Sequence, residues 1–207
     1  MFPSGDYKRF EIEIVERYKD YDIPITFGIL IADYRQRNCS EYIINYLNRF
    51  DRLSGECFDF FIPGYSYYSY QSGIEVDTTI KGEKVFFSRI LFEEFIEKLE
   101  KKLGIKYCYD AMLVLVEIPA NKKLSKINKK IIIPLSDIPG GINLSGILFE
   151  QIFKISKKYV SIDKYSSELK KMYIKKDILD EIIDTFGPNY IKLIKKTNDK
   201  ITHFKVK

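Results

Sequence analysis

Asp33, Arg35, Arg37 and Cys39 stand close together between an apolar run, Ile25–Ala32, and an amphipathic one that extends to Phe50. Asp33 is a carboxylate able to take or give a proton. Arg35 and Arg37 offer guanidinium groups that grip phosphate with paired N–H bonds. A helix starting at this point adds unpaired backbone N–H groups, which favours an anion there. The competing reading is structural pairing of the two arginines with Glu41, Asp51 or Asp59. Cys39 falls at the same helix start, where a positive field lowers a thiol pKa and makes a nucleophile. The alternative is a small, buried cysteine.

Glu117 closes another apolar run, Ala111–Ile118. If both runs are parallel strands, Asp33 and Glu117 share one edge. Such a pair can divide acid and base roles, or hold magnesium with waters; the alternative is a helix cap and a surface charge. Gly64 and Tyr65, after the run Cys57–Ile62, and Gly140 and Gly141, in Pro139–Gly141, would reach that edge as ligand-binding backbone. The Pro139–Ser145 segment matches neither GxGxxG nor GxxxxGK[ST], and also reads as a turn. Tyr67, Tyr68 and Tyr70 offer flat faces to a partner or a base, or simply pack; tyrosine is abundant here, 16 in all.

These positions rest on a strand–helix alternation. Ile25–Ala32 reads as a strand covered on both faces. Asn38 or Ser40 would cap the next helix, with Ile43, Tyr46, Leu47, Phe50 and Leu53 as its buried stripe and Gly55 as its stop. Cys57–Ile62, Ala111–Ile118 and Ile131–Pro134 read as further strands, the last at an edge because of its proline. Ser88–Leu103 is the clearest helix, and another runs from about Leu144 to Tyr159. Tyr7, Phe10, Ile14, Tyr18 and Tyr21 have helical spacing, although Phe10–Ile14 also alternates like a strand. Ile74–Ile80 belongs to an exposed hairpin. Short lysine-rich helices follow near Lys164–Tyr173 and Asp177–Phe186, then an element from Tyr190 and an alternating Thr202–Val206. The expected class is α/β, a mostly parallel sheet of four or more strands with helices on both faces. Rossmann-, TIR- and thioredoxin-like layering all fit, and ligands then bind beyond the strand carboxyl ends. Residues 1–159 would form the core domain and 160–207 a helical, basic extension.

Composition narrows the function classes. The 207 residues are 45% hydrophobic and carry a net charge of +5. From Gln151 onward 14 lysines face 7 acids, and every arginine lies earlier. Lysine gives diffuse charge rather than bidentate phosphate recognition, so loose binding of nucleic acid or a nucleotide by the basic C-terminal region fits better than specific readout. The three cysteines lack CxxC spacing and His203 is the single histidine, which points away from disulfide frameworks, structural zinc sites, and multi-histidine metal sites or histidine-centred triads. No pattern names a cofactor. Met-Phe-Pro-Ser-Gly-Asp is not a secretory signal, and no apolar run approaches the roughly 18 residues of a membrane span, so a cytoplasmic setting without membrane contact is expected. The bias toward Lys, Ile, Tyr and Asn fits an AT-rich bacterial or phage genome.

A strand leading to a helix that starts at cysteine is similar to thioredoxin-like proteins, although Asn38-Cys39-Ser40-Glu41-Tyr42 lacks their second cysteine. The outline strand–loop–helix–Ser-Gly–strand–Pro-Gly-Tyr resembles small effector or accessory proteins of bacterial defence loci. The expectation is a binding or regulatory subunit of a larger assembly, with a protein partner. The alternative is a nucleotide-directed hydrolase of phosphodiester or N-glycosidic bonds. There Asp33 and Glu117 would do the chemistry and the arginines would hold phosphate. A third reading is thiol redox chemistry at Cys39.

Overall fold

Ile25–Ile31 supplies a strand with almost no polar side chain, and such a strand needs cover on both faces. The computed structural model, which describes residues 1–54, 58–69, 73–120, 129–138 and 141–174, provides it. The elements in chain order are β1 (Phe2–Ser4), α1 (Tyr7–Tyr18), β2 (Ile25–Ile31), α2 (Arg37–Ser54), β3 (Phe60–Pro63), β4 (Tyr65–Ser66), β5 (Ile74–Ile80), β6 (Glu83–Phe87), α3 (Arg89–Leu103), β7 (Met112–Ile118), β8 (Lys129–Pro134), α4 (Ser145–Ser156) and α5 (Ile162–Ile174). The elements expected beyond Ile174, and the helix stop at Gly55, lie outside the described residues.

The main sheet has the order β1-β3-β2-β7-β8. The pairs β1–β3 and β3–β2 are parallel, whereas β2–β7 and β7–β8 are antiparallel. The fold is therefore α/β with a mixed sheet, and the expected mostly parallel sheet is corrected. The reversal of β7 has a traceable cause. Ser88, just ahead of α3, donates its N–H to the Gly64 carbonyl at the C-terminal end of β3. After α3 the chain doubles back along that helix. Tyr107 N–H bonds Glu100 Oε1 at 2.7 Å, and the Tyr107 ring meets Phe92 near the helix start, 5.7 Å between centroids. Strand β7 consequently enters the sheet at the edge where α3 began, and must run the other way.

Aromatic side chains hold the layers. On one face Phe27 and Phe61 meet Phe10 of α1, which meets Phe95 of α3 at 5.1 Å. On the other, Phe60 meets Phe149 and Phe153 of α4, and Phe50 of α2 stacks on Phe149 at 4.1 Å. Burying each such side chain contributes about 1.5–3 kcal/mol. Gly28 is forced by this packing: a Cβ there would lie 2.4 Å from the Phe60 ring. Helix α5 joins the same layer, with Ile162, Tyr165 and Leu169 buried.

A second sheet, β4-β6-β5, is fully antiparallel and includes the expected hairpin. Gly64 joins the two sheets. Its φ is +79°, its N–H bonds Ser4 O, and a Cβ would lie 2.6 Å from Phe92 Cβ. Among the described residues no helix is long and apolar enough to cross a membrane.

Candidate functional site

At the C-terminal end of β2 the predicted site residues close on one another. Asp33 is buried and accepts the Arg35 N–H at 3.0 Å, which shapes the turn into α2. The Arg35 side chain then folds back: Nε lies 2.9 Å from Oδ1 and one terminal nitrogen 2.6 Å from Oδ2. Its other terminal nitrogen reaches Glu93 at 3.0 Å. Hydrogen bonding to Asp33, then that carboxylate's charge, holds the guanidinium well above its ordinary pKa. Arg37 pairs with Glu41 one turn along, on the surface. The arginines are thus engaged by carboxylates, and the expected anion cradle is not assembled from them. Helix α2 already begins at Arg37, so Asn38 and Ser40 sit inside its first turn rather than capping it.

Cys39 is fully buried, on the same helix stripe as Ile43, Leu47 and Phe50. Burial pushes its thiol up to about 12, and Asp110 nearby adds to the shift. The sulfur is therefore a thiol at neutral pH, the opposite of the nucleophile expected from its place at a helix start.

Glu117 is absent from this end. Because β7 is antiparallel, Glu117 pairs with Thr26, seven residues before Asp33 and about 23 Å away along the strand. The expected carboxylate pair is corrected to two separate groups at opposite edges. The acid that neighbours the Asp33 end is Asp110, at the start of β7, which sequence reasoning missed. The Tyr65 ring is buried and its hydroxyl donates to Ala32 O at 2.8 Å. Tyr65 and Gly64 are thus structural where ligand contact was expected. Gly141 has φ +64° and opens a short turn of helix, Gly141–Leu144, after the C-terminal end of β8. Tyr67 is half-buried, while Tyr68 is exposed beneath the Arg9 guanidinium at 5.9 Å. Tyr70 and Gly140 lie outside the described residues.

The other end of β2 is open. A cleft of about 170 Å³ lies there, between the N-terminal ends of β2 and β3 and the loop joining α4 to α5. Tyr18, Tyr21, Tyr159 and Tyr165 line it with Phe58 and Asp59. Tyr18 donates its hydroxyl to Asp59 Oδ2 at 2.7 Å. Burial and the Asp59 charge push that hydroxyl's pKa well above its ordinary value. Two bonds pin the far wall. Thr26 Oγ1 donates to Val160 O at 2.6 Å, and Glu117 Oε2 accepts the Ile162 N–H at 2.9 Å where α5 begins. Glu117, predicted as catalytic, therefore positions a cleft wall; Lys129 pairs with Asp163 beside it.

The sequence pattern does not mark Asp59, Tyr21 or Tyr159 as site residues. Asp59 carried a signal, being the acid nearest the start of an apolar strand, but the fold rule for α/β sheets directs attention to strand carboxyl ends. Among the described residues, no three His, Cys, Asp or Glu are grouped to hold a metal ion. No protein-family model, no curated protein and no solved structure matches this chain.

Proposed function

We propose that this chain is a binding module, a subunit that engages a partner at the tyrosine-lined cleft, rather than a hydrolase. The observation that carries the reading is the contrast in how polar groups are used. Asp33, Arg35 and Arg37 close on one another or on neighbouring acids, whereas Asp59, met on Oδ2 by Tyr18 and Arg17, lines a cleft and has no partner on Oδ1 among the described residues. The distance between Asp33 and Glu117 weighs against a hydrolase built on that pair, since acid and base must meet one substrate within hydrogen-bond reach. A bacterial or phage assembly is the setting that the sequence composition favours.

The test uses the full chain recovered from cells under native conditions and sized by light scattering. The expected result is a complex heavier than the single chain. Val160→Trp, which fills the cleft from an exposed position, dissociates it; Arg37→Ala, at the opposite end, leaves it intact. A chain that stays alone, or a complex lost in Arg37→Ala and kept in Val160→Trp, overturns the reading.

A further inference from the structure

Three hydroxyls in the cleft lining have their protons committed. The Tyr18 hydroxyl proton is spent on Asp59, the Thr26 proton on Val160 O, and the Ser156 proton on Phe153 O at 2.9 Å. Each of these oxygens is left with lone pairs, so these three hydroxyls present acceptors. Asp59 is the charged residue in the lining, and it too accepts. Its contacts with Tyr18 and with Arg17, at 3.8 Å, both use Oδ2; among the described residues Oδ1 has no partner. The Arg17 guanidinium is itself stacked on Phe2, 3.6 Å from the ring centroid.

Tyr21 and Tyr159 add hydroxyls that can donate or accept, but the charged group of the lining is an acceptor, and Asp59 Oδ1 calls for a cationic donor. A phosphate presents acceptors to a carboxylate that repels it, and a neutral nucleobase brings no charge to balance that carboxylate. Guanidinium carries five donors and no acceptor, in a planar fork that fits a carboxylate. Its flat face also suits tyrosine rings, whose faces carry negative potential. Tyr18 and Tyr21 stand nearly perpendicular here, 84° apart with centroids at 6.1 Å, and so form two walls of a corner. Size agrees. A cavity of about 150 Å³ holds one benzene, and drug-sized ligands need about 300 Å³ or more. At about 170 Å³ this cleft takes one side-chain head group and is too small for a whole nucleotide.

We infer that the cleft captures a guanidinium group, the side chain of an arginine on the partner chain. The inference rests on the binding reading above and supplies its recognition chemistry.

The probe is N-acetyl-arginine amide, followed through intrinsic fluorescence, which comes from tyrosine because the chain has no tryptophan. A single side chain should bind with a Kd of about 1 mM. N-acetyl-citrulline amide has nearly the same shape without the charge, and should bind at least about tenfold more weakly. Asp59→Asn keeps an acceptor for Tyr18, so its unfolding midpoint should hold while affinity falls at least about tenfold. Tyr21→Ala, at a half-exposed position, should weaken binding about threefold or more. Equal binding of the citrulline probe, unchanged affinity in Asp59→Asn, or preference for adenosine overturns the inference. If no arginine probe binds while Val160→Trp still breaks the native complex, the guanidinium assignment fails and the binding reading stands. If the complex is also missing, both fail.

Discussion

At the Ile31 end of β2, Asp33 meets a guanidinium two residues on, with Nε and a terminal nitrogen both within 3 Å of its oxygens. At the Ile25 end, Asp59 meets a tyrosine hydroxyl and Arg17 on one oxygen, and the other has no partner among the described residues. The first arrangement neutralises a buried carboxylate. A charge taken out of water must be paired and hydrogen-bonded, and Arg35 does both. Little capacity is left there for a ligand. The second carboxylate is part-exposed and keeps water as its fallback, so it can remain unsaturated until a donor arrives. Proximity of charged residues in sequence therefore marks self-neutralisation here, while the separated acid is the one that stays available.

The sharpest way to break the comparison is through the locked end. Gly64→Ala combines left-handed backbone with a Cβ 2.6 Å from Phe92 Cβ. It should lower stability by about 4 kcal/mol, read from the urea midpoint. Arg35→Met strands the buried Asp33 carboxylate and should lose about 3 kcal/mol in the same measurement, with no change at the cleft. Glu117→Ala acts on the open end. It leaves the Ile162 N–H without its partner, which should cost about 2 kcal/mol and loosen the α4–α5 wall enough to weaken the complex.

Alkaline titration probes the buried groups more gently. Folding raises the Cys39 thiol to about 12 and keeps the buried hydroxyls of Tyr42 and Tyr65 protonated well above their ordinary range. Above the unfolded pKa of each group the native state holds more protons than the unfolded chain. Stability is therefore flat at neutral pH and falls from about pH 9 upward, by about 1.4 kcal/mol per pH unit for each group still protonated. Denaturant midpoints taken from pH 8 to 11 check the sign; a flat profile contradicts it. Native-state alkylation should modify exposed Cys108 and spare Cys39. The smallest effect is Tyr107→Phe. The Tyr107 hydroxyl is buried with no partner among the described residues, so its removal should leave stability unchanged or raise it by up to about 1 kcal/mol.

Much of the fold was legible because burial imposes periodicity. The apolar runs at Ile25–Ile31 and Met112–Ile118 became central strands, and Phe92, Phe95, Ile96, Leu99 and Leu103 face the core from α3. Strand direction was not legible. A run that is apolar on both faces looks the same in either sense, and the doubling-back of Gly104–Ala111 depends on contacts of Tyr107 with Glu100 and Phe92 that no local pattern encodes. The predicted carboxylate pair failed with that direction. Strand β1 was missed because three residues are too few to show a period. Cys39 was open to a correct reading: positions 39, 43, 47 and 50 share one helical stripe, and that stripe outweighs a place near the helix start. The cleft was hidden because Tyr21, Asp59 and Tyr159 come from three distant segments and meet only once β2 and β3 lie side by side and the α4–α5 loop closes against them.

The most direct measurement is a paired titration of N-acetyl-arginine amide into Arg35→Met and Asp59→Asn, with each protein's unfolding curve recorded beside it. The account predicts wild-type affinity in the less stable Arg35→Met, and at least a tenfold loss in the still stable Asp59→Asn. Binding that survives in Asp59→Asn and disappears in Arg35→Met would place the site at the end described here as locked, and would contradict the account.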